Sequence, residues 1–147
     1  MKKVLITGIS GFAGSHLAEY LLSKRKYDVS GTYLLEDSVE RNLGKIKNNL
    51  NLVKVDLTNN KRVFDLLKSV KPNLVFHLAA LSYTGTSFKA PFLTINNNIA
   101  SQMNVLSAIK DNNLFDTKVL VVSSGEIYGL VGKHDLPINE EIKLMPT

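Results

Sequence analysis

The stretch that most constrains this chain is Val4–Leu17, VLITGISGFAGSHL, in which a short apolar run breaks into three glycines and then resumes with helical spacing. This order predicts a strand, a tight loop and a helix. Gly8 suits a positive φ where the strand turns, Gly11 lets the backbone approach a ligand, and Gly14 lets the helix pack closely on the strand. The free N–H groups and the positive helix-dipole end near Gly11–Gly14 predict a site for the pyrophosphate of a dinucleotide.

The spacing of these glycines, Gly-x-x-Gly-x-x-Gly, departs from the Gly-x-Gly-x-x-Gly dinucleotide fingerprint, so the motif carries weight only through its context. A good strand precedes the glycines, and the helix that follows has one apolar face, made of Leu17, Ala18, Leu21 and Leu22. The alternative is an ordinary glycine-rich turn. Such a turn does not require a strand before it and an amphipathic helix after it, so the presence of both favours the dinucleotide loop.

The composition limits the classes of protein to which the chain can belong. Its 147 residues, 44% of them hydrophobic, are enough for one domain with one core. The absence of cysteine excludes disulfides and thiolate metal sites and favours the cytoplasm, and no apolar run is long enough to span a membrane. The net charge of +5 comes from scattered lysines and arginines without interleaved aromatic residues, which indicates a solvated surface rather than a nucleic-acid site. We therefore expect no metal, no membrane and no nucleic-acid partner.

Apolar strands alternate with helical patterns along the rest of the chain. Strands are predicted over Lys2–Thr7, Tyr27–Tyr33, Leu52–Val55, Leu74–Ala80 and Lys118–Val122, and helices from Gly14 to about Lys24, within Ser38–Asn49, from near Asn59 to Pro72 and over Pro91–Asn112. With right-handed crossovers this alternation predicts an α/β protein, a three-layer Rossmann fold with a mostly parallel, doubly wound sheet in the order 3-2-1-4-5.

The last of these helices has an apolar stripe at a spacing of three to four residues, which predicts that it packs in the core. The stripe consists of Ile95, Ile99, Met103, Leu106 and Ile109. Asparagines are poor helix formers, so we expect at least one of Asn96, Asn97 and Asn98 to bond a neighbouring loop. Leu81–Lys89 is expected to be a polar loop.

Several polar residues fall at strand ends, where ligands bind in open α/β sheets. Asp56 follows the third strand, where it would accept from an adenine amino group; equally, Asp56 or Thr58 would cap the next helix. His77 lies within a buried strand and is predicted to be a hydrogen-bonded core residue. Ala79 and Ala80 are small enough to admit a flat ribose or nicotinamide ring.

The choice between NAD and NADP depends on the end of the second strand. An acidic residue there would bond the ribose 2′-OH of NAD, whereas a nearby arginine would accommodate the 2′-phosphate of NADP. The strand ends at Tyr33 and is followed by two leucines; Glu36 and Asp37 come late, and Arg41 lies further on. Neither rule is met at the expected place, so the sequence leaves both cofactors open.

Five motifs in this order carry a resemblance that covers the whole chain: TGISGFAGSHL, VDLTN, FHLAALS, the helix around Asn98, and VVSSGEIYG. With them the chain resembles the extended short-chain dehydrogenase/reductases that act on nucleotide sugars, the NAD-dependent epimerase/dehydratase family. The resemblance implies an NAD(P)-dependent enzyme whose substrate is a nucleotide sugar, with a GDP-linked hexose as the first expectation. It implies reduction at C4 of the sugar, with dehydration or epimerisation as alternatives, and a homodimer for the longer protein.

The resemblance also assigns roles to residues of this chain. The family's phosphate loop corresponds to Gly8, Gly11, Phe12, Ala13 and Gly14, its adenine contact to Asp56 and Leu57, and its ribose and nicotinamide contacts to Leu78, Ala79, Ala80 and Ser123. Ser124 corresponds to the catalytic hydroxyl that bonds the C4 oxygen of the sugar. Glu126 corresponds to the base of the dehydratases.

The chain departs from the family in one respect: no Tyr-x-x-x-Lys pair follows the serine motif, since Tyr128 is followed by Lys133, one residue too far. Tyr128 matches the family tyrosine that packs after the serine motif, so we interpret it as structural. The family continues past this region into the catalytic tyrosine and lysine and a substrate domain. We therefore expect residues 1–147 to form a dinucleotide-binding domain that is incomplete at its C-terminus and inactive by itself. A non-catalytic dinucleotide-binding module is the competing hypothesis.

Overall fold

The computed structural model describes residues 1–146; Thr147, the last residue of the predicted domain, lies outside the described residues. Within them the strands are β1 (Lys2–Thr7), β2 (Tyr27–Tyr33), β3 (Asn51–Lys54), β4 (Leu74–His77) and β5 (Lys118–Val121). The α-helices are α1 (Phe12–Ser23), α2 (Glu36–Leu43), α3 (Asn60–Val70), α4 (Thr84–Lys89) and α5 (Pro91–Asp111). Short 3-10 helices lie at Lys47–Asn49, Gly125–Tyr128 and Lys133–Asp135.

The strands form one sheet in the order β3-β2-β1-β4-β5, and every pair of neighbours is parallel. This confirms the predicted fold class and strand order. In the register of the sheet, Thr7 at the end of β1 lies beside Thr32 on one side and His77 on the other. The carboxyl ends of the three central strands, β2, β1 and β4, therefore meet at one edge of the sheet. From β1 the strand order continues to β2 on one side and to β4 on the other, which makes this edge the usual place for a ligand.

Alternating side chains of β1 supply both faces of the sheet, as expected for a strand buried on both sides. Leu5 packs in a cluster with residues of α3 and α5, namely Val63, Leu66, Leu67, Val105 and Ala108. Val4 and Ile6 pack on the opposite face with residues of α1, β2 and α2, namely Ala18, Leu21, Val29, Val39 and Leu43. The two clusters fix the helices on either side of the sheet and so fix the loops that surround its carboxyl edge.

The predicted core stripe of α5 was largely wrong. Ile95 is 53% exposed, Ile99 is 59% exposed and Met103 is 54% exposed, with Leu106 exposed as well. The buried face of α5 consists instead of Ser101, Val105 and Ala108, while Ile109 lies partly buried against the same cluster. Small side chains allow α5 to approach α3 closely, and helical periodicity alone does not tell which of two apolar faces is buried.

Other boundaries also differ from those predicted. Residues 84–89 form the short helix α4 within the segment that was expected to be a polar loop. β4 ends at His77, so Leu78, Ala79 and Ala80 follow the strand rather than lie in it. α1 begins at Phe12, two residues before Gly14. With these boundaries, the carboxyl end of β4 and the start of α1 lie at the same edge of the sheet.

Candidate dinucleotide-binding site

A cavity of about 560 Å³ lies at the carboxyl edge of the sheet, a size typical of pockets for small molecules. It collects ten of the residues predicted to bind a dinucleotide: Gly8, Gly11, Phe12, Ala13, Gly14, Asp56, Leu57, Leu78, Ala79 and Ala80. The rest of its wall includes Ser10, Ser38, Arg41, Asn42, Asn97 and Ser101. Segments far apart in the sequence thus meet where the strand order changes direction.

The loop after β1 has the geometry for which its glycines were singled out. Gly8 has φ +68°, and a Cβ there would lie 2.9 Å from the Cα of Ala79, so a side chain is excluded by both conformation and space. A Cβ at Gly14 would collide with the backbone of Gly8 and Ile9. Gly11 differs, because its φ of −74° is open to any residue. Gly8 and Gly14 therefore shape the loop, whereas Gly11 needs no special backbone conformation; all three line the cavity.

The first turn of α1 meets the requirements of an anion site. Gly11 is its N-cap, no side chain caps the helix, and no acidic residue lies in the first turn. The N–H of Gly11 is used within the loop, donating to Gly8 O at 2.9 Å, whereas the N–H groups of Phe12, Ala13 and Gly14 have no intrahelical acceptor. With the helix dipole they fit a pyrophosphate, so the residues present suit a dinucleotide.

Thr7 fixes the backbone that follows β4. Its Oγ1 accepts hydrogen bonds from the N–H groups of Leu78 (3.1 Å) and Ala79 (3.2 Å). With both lone pairs used, the Thr7 hydroxyl donates to Nδ1 of His77 at 2.9 Å, which selects the Nε2–H tautomer of the neutral ring. Burial lowers the pKa of His77 and favours the same neutral form. His77 is a hydrogen-bonded core residue, as predicted.

Asn98 holds the next residues of the same segment. Its Oδ1 accepts from Leu81 N at 2.8 Å, and its Nδ2 donates to Leu81 O at 3.2 Å. The expectation that one of three asparagines bonds a neighbouring loop is confirmed at this residue. Asn97 donates to Oδ1 of Asn98 at 3.2 Å and lines the cavity. α5 thereby sets the position of the cavity wall at Leu81.

Asp56 forms a local turn with Thr58 while lining the cavity. Oδ1 of Asp56 accepts from Oγ1 of Thr58 at 2.7 Å and from its N–H at 2.9 Å. The side-chain bond first and the backbone bond second lower the pKa of the Asp56 carboxyl. The N-cap of α3 is Asn59, whose side chain accepts from Arg62 N, so neither Asp56 nor Thr58 caps this helix. Oδ2 of Asp56 is not used by Thr58.

The cavity wall beside β2 was missed by sequence reasoning. The hydroxyls of Ser38 and Ser10 lie 2.7 Å apart, and Nδ2 of Asn42 donates to Ser10 O at 2.7 Å. These bonds join α2 to the glycine loop and bring Arg41 to the cavity. The signal in the sequence was the spacing of Ser38, Arg41 and Asn42, which puts all three on one side of a helix.

The two predicted catalytic residues, Ser124 and Glu126, and the predicted cofactor contact Ser123 lie apart from this cavity. All three follow β5, are exposed and do not line the cavity. Oγ of Ser124 accepts from Glu126 N at 3.2 Å, so Ser124 caps the 3-10 helix that carries Glu126. The structure therefore joins the serine and the glutamate to each other but not to the dinucleotide residues.

Among residues 1–146, no helix combines the length and the apolar character needed to cross a bilayer. A parallel sheet in this order, with a glycine loop before α1 and a cavity at its carboxyl edge, defines the Rossmann class of dinucleotide-binding proteins. The comparisons with known proteins give the family. A family model described as GDP-mannose 4,6 dehydratase matches residues 5–147, and the chain belongs to this family.

Relatives with assigned activities include both dehydratases and reductases. The chain is 32% identical over 155 residues to GDP-mannose 4,6-dehydratase of Yersinia enterocolitica, covering 99% of this chain and 41% of the relative. It is 30% identical over 141 residues to GDP-6-deoxy-D-mannose reductase of Pseudomonas aeruginosa, covering 96% of this chain and 40% of that relative. The chain thus spans about 40% of the length of the curated relatives it matches.

Solved structures agree with the fold. The Bordetella bronchiseptica enzyme WbmH, in complex with NAD+, matches 99% of this chain with 46% of its own, at a TM-score of 0.80 and 30% identity. The UDP-glucose 4-epimerase of Thermus thermophilus, in complex with NAD, matches 98% of this chain with 44% of its own, at a TM-score of 0.84 and 28% identity.

Proposed function

We propose that this chain is the nicotinamide-cofactor-binding part of an oxidoreductase that modifies a nucleotide sugar. The observation that carries the proposal is the single cavity that joins the glycine loop, Asp56 and the segment after β4. The solved neighbours WbmH and the Thermus epimerase, both complexed with NAD, support it. The cofactor is NAD or NADP.

The cavity residues have distinct roles in this proposal. The pyrophosphate binds at the free N–H groups of residues 12–14, between the glycine loop and α1. The adenine contacts Leu57 and Oδ2 of Asp56, the oxygen that Thr58 leaves unused. The ribose and nicotinamide lie along Leu78, Ala79 and Ala80, whose position Thr7 fixes. The proposal also gives Ser123, which follows β5 and lies off the cavity wall, a contact at the nicotinamide end.

The proposed reaction is reduction of the C4 keto group of GDP-4-keto-6-deoxy-mannose. When bound, the nicotinamide would supply hydride to C4. Ser124 donates a hydrogen bond to the C4 oxygen, and the proton on that oxygen comes from an acid outside this chain. No Tyr-x-x-x-Lys pair follows the serine motif, and Tyr20 and Lys24, which have that spacing, lie at the end of α1 and off the cavity wall. The Pseudomonas reductase relative supports this reaction.

Dehydration of GDP-mannose is the second candidate reaction, and Glu126 favours it. A carboxylate at the position of the dehydratase base would remove the proton next to the C4 ketone. The family model and the Yersinia relative support this candidate as well. Epimerisation at C4 is a further member of the same class, represented by the Thermus epimerase.

Three further statements belong to the proposal. Residues 1–147 form one dinucleotide-binding domain that is incomplete at its C-terminus, and the longer protein is a homodimer. The exposed apolar side of α5 supports a larger assembly, which sedimentation velocity of the longer protein would measure. The protein works in the cytoplasm, as the absence of cysteine favours.

Fluorescence titration tests the binding proposal. NADH and NADPH, each titrated with the 147-residue chain, should give a saturable change that corresponds to one site. Failure of both nucleotides to bind would overturn it. A longer protein containing this chain, supplied with GDP-mannose or GDP-4-keto-6-deoxy-mannose and cofactor, then separates the reactions: dehydration removes water from the first, and reduction adds two hydrogens to the second.

A further inference from the structure

The edge of the sheet opposite the cavity, where the parallel strands begin, is strongly basic. Residues 1–3, 24–28, 71–73 and 112–118 surround the starts of β1, β2, β4 and β5. The carboxylates of these segments are Asp28 and Asp116, and Asp111 ends α5 beside them. Against these three stand seven exposed cations, named together the basic edge: Lys2, Lys3, Lys24, Arg25, Lys26, Lys71 and Lys118.

Backbone hydrogen bonds hold cations of the basic edge side by side across four strands. Lys2 N donates to Lys26 O at 3.1 Å. Asn73 N donates to Lys3 O at 2.9 Å, and Lys118 N donates to Asn73 O at 3.0 Å. Neighbouring strands lie about 4.8 Å apart, so the row of strand starts is about 15 Å wide. Charges that are scattered along the sequence, where they indicated a solvated surface, thus form one patch in the fold.

The cations of the basic edge are not neutralised within the described residues. None of the seven takes part in a salt bridge there. Asp28, which lies beside Lys3 in the register of the sheet, accepts from Nδ2 of Asn51 at 2.8 Å. Nζ of Lys24 lies 4.4 Å from the centre of the Tyr20 ring, a contact that leaves its charge in place. The edge therefore presents net positive charge to an anionic partner.

Two exposed apolar side chains flank the same row. Met1 precedes Lys2 and is 87% exposed, and Phe115, three residues before Lys118, is 74% exposed. At a bilayer surface such side chains enter the headgroup region while lysine stems reach the lipid phosphates. Nucleic acid, in contrast, uses free aromatic rings on which bases stack, and Lys24 covers the exposed ring of Tyr20. The combination of cations and apolar side chains favours a lipid surface.

We propose that the basic edge binds the surface of an anionic lipid bilayer. Lipid phosphates pair with its lysines and Arg25, and Phe115 enters the headgroup region. Because all strands are parallel, the cavity at their carboxyl ends then faces away from the bilayer and stays open to solution. This proposal replaces the expectation of no membrane partner, which was drawn from apolar runs and charges along the sequence. It is independent of the proposed reaction.

Co-sedimentation with lipid vesicles tests the proposal. The 147-residue chain should bind vesicles made of equal parts of phosphatidylserine and phosphatidylcholine, and should not bind vesicles of phosphatidylcholine alone. Binding should be lost between about 0.1 M and about 1 M salt, as the Debye length falls from about 10 Å to about 3 Å. Lys2→Gln, Lys26→Gln and Lys118→Gln together should lower the affinity about a hundredfold, at about fivefold for each cation near the surface.

The matched control removes the same number of charges from exposed residues outside the basic edge. It combines Arg62→Gln, Lys89→Gln and Lys143→Gln, and it should preserve vesicle binding. Both triple variants should keep the wild-type affinity for NADPH, because their substituted residues lie off the cavity wall. Circular dichroism checks that both are folded.

A tryptophan introduced into this chain reports insertion directly, because the sequence has none of its own. Phe115→Trp should shift its emission to shorter wavelength when anionic vesicles are added. Phe88→Trp, at a position 87% exposed on α4, which follows the carboxyl end of β4, should show no shift.

The outcomes separate a lipid surface from other partners. Failure of the wild-type chain to bind anionic vesicles, or equal losses in the two triple variants, would overturn the proposal. Binding of duplex DNA without binding of vesicles, lost when the basic edge is neutralised, would overturn it in favour of a nucleic-acid surface. The dinucleotide site stands or falls separately, by the NADH and NADPH titrations.

Discussion

The hydroxyl of Thr7 donates to Nδ1 of His77 at 2.9 Å, at the point where β1 and β4 end side by side. The same oxygen accepts from the two N–H groups that follow β4, so a histidine 6% exposed is tied to the cavity wall. Protonated Nδ1 would present a proton to an oxygen whose lone pairs are already used. The neutral ring is thus part of the folded site.

We expect His77 to make the stability of the fold depend on pH. Burial lowers the pKa of His77 in the folded state below the value of about 6.5 that it has in the unfolded chain. Below about pH 6.5 the unfolded chain therefore binds more protons than the folded chain. The contribution of neutral His77 to the free energy of unfolding should be complete above that pH. It should be lost as the pH falls toward and through the folded-state pKa. Urea unfolding at a series of pH values measures it.

His77→Gln is the matched variant, because a glutamine keeps a hydrogen-bond acceptor but does not titrate. Its unfolding free energy should be lower at neutral pH and should change less between about pH 7 and pH 5, the window in which an unpaired histidine gains its proton. Parallel pH curves for wild type and variant would contradict the role given to this ring.

Gly11→Val should weaken dinucleotide binding without unfolding the chain. With φ −74° and ψ 174°, Gly11 has an extended backbone that valine adopts, and its Cβ would lie 3.2 Å from Gly8 O, a contact that a small shift relieves. The branched side chain then occupies the place where backbone and pyrophosphate must meet. We expect a loss of affinity for NADPH of about tenfold or more, equivalent to the loss of one or two charge-assisted bonds.

Gly11→Ala gives the graded control for this prediction, since a single methyl should weaken binding less than the branched valine. Calorimetric titration of both variants, with circular dichroism to check folding, measures the series. Unchanged affinity in a folded Gly11→Val chain would exclude this loop as the pyrophosphate site.

Asn98→Ala should loosen the segment after β4. The substitution removes both bonds to Leu81, the N–H bond of 2.8 Å and the carbonyl bond of 3.2 Å, and so leaves the Leu81 amide unprotected. Hydrogen exchange of that amide should accelerate by about tenfold or more, as for the loss of a bond of about 1.4 kcal/mol. Asn96→Ala, on an exposed position of the same helix, should leave it unchanged. Equal exchange in the two variants would contradict the clamp.

The sequence predicted most of the fold because its main signals are local. Glycine is required at Gly8 because its φ is positive, and at Gly8 and Gly14 because other backbone atoms approach too closely for a side chain. A continuous apolar run such as the one in β4 indicates a strand buried on both faces. These features do not depend on the rest of the molecule, and the strand order then follows from the handedness of the crossovers.

The errors and omissions depend on contacts between distant segments. α5 has two apolar sides, and the side with Ser101 and Ala108 is buried because small residues allow the approach of α3, a choice that periodicity does not encode. Arg41 reaches the cavity because Ser38 and Asn42 bond Ser10, about thirty residues earlier in the sequence. Hydrogen bonds between segments that lie far apart in the sequence can be identified only once the helices and strands are packed together.

We expect the 147-residue chain to bind a nicotinamide cofactor but to catalyse neither reduction nor dehydration. No Tyr-x-x-x-Lys pair follows the serine motif to protonate the C4 oxygen, since Lys133 stands five residues after Tyr128 rather than four, and Ser124 does not line the cavity. Binding and turnover should therefore separate: NADPH fluorescence reports the first, and product analysis with GDP-4-keto-6-deoxy-mannose reports the second. In a longer protein that contains this chain and turns over, Ser124→Ala should lower kcat by about ten- to a thousandfold, as expected for the loss of a positioned hydrogen bond to the reacting oxygen. Turnover by residues 1–147 alone would refute this separation and make Tyr128 the candidate acid.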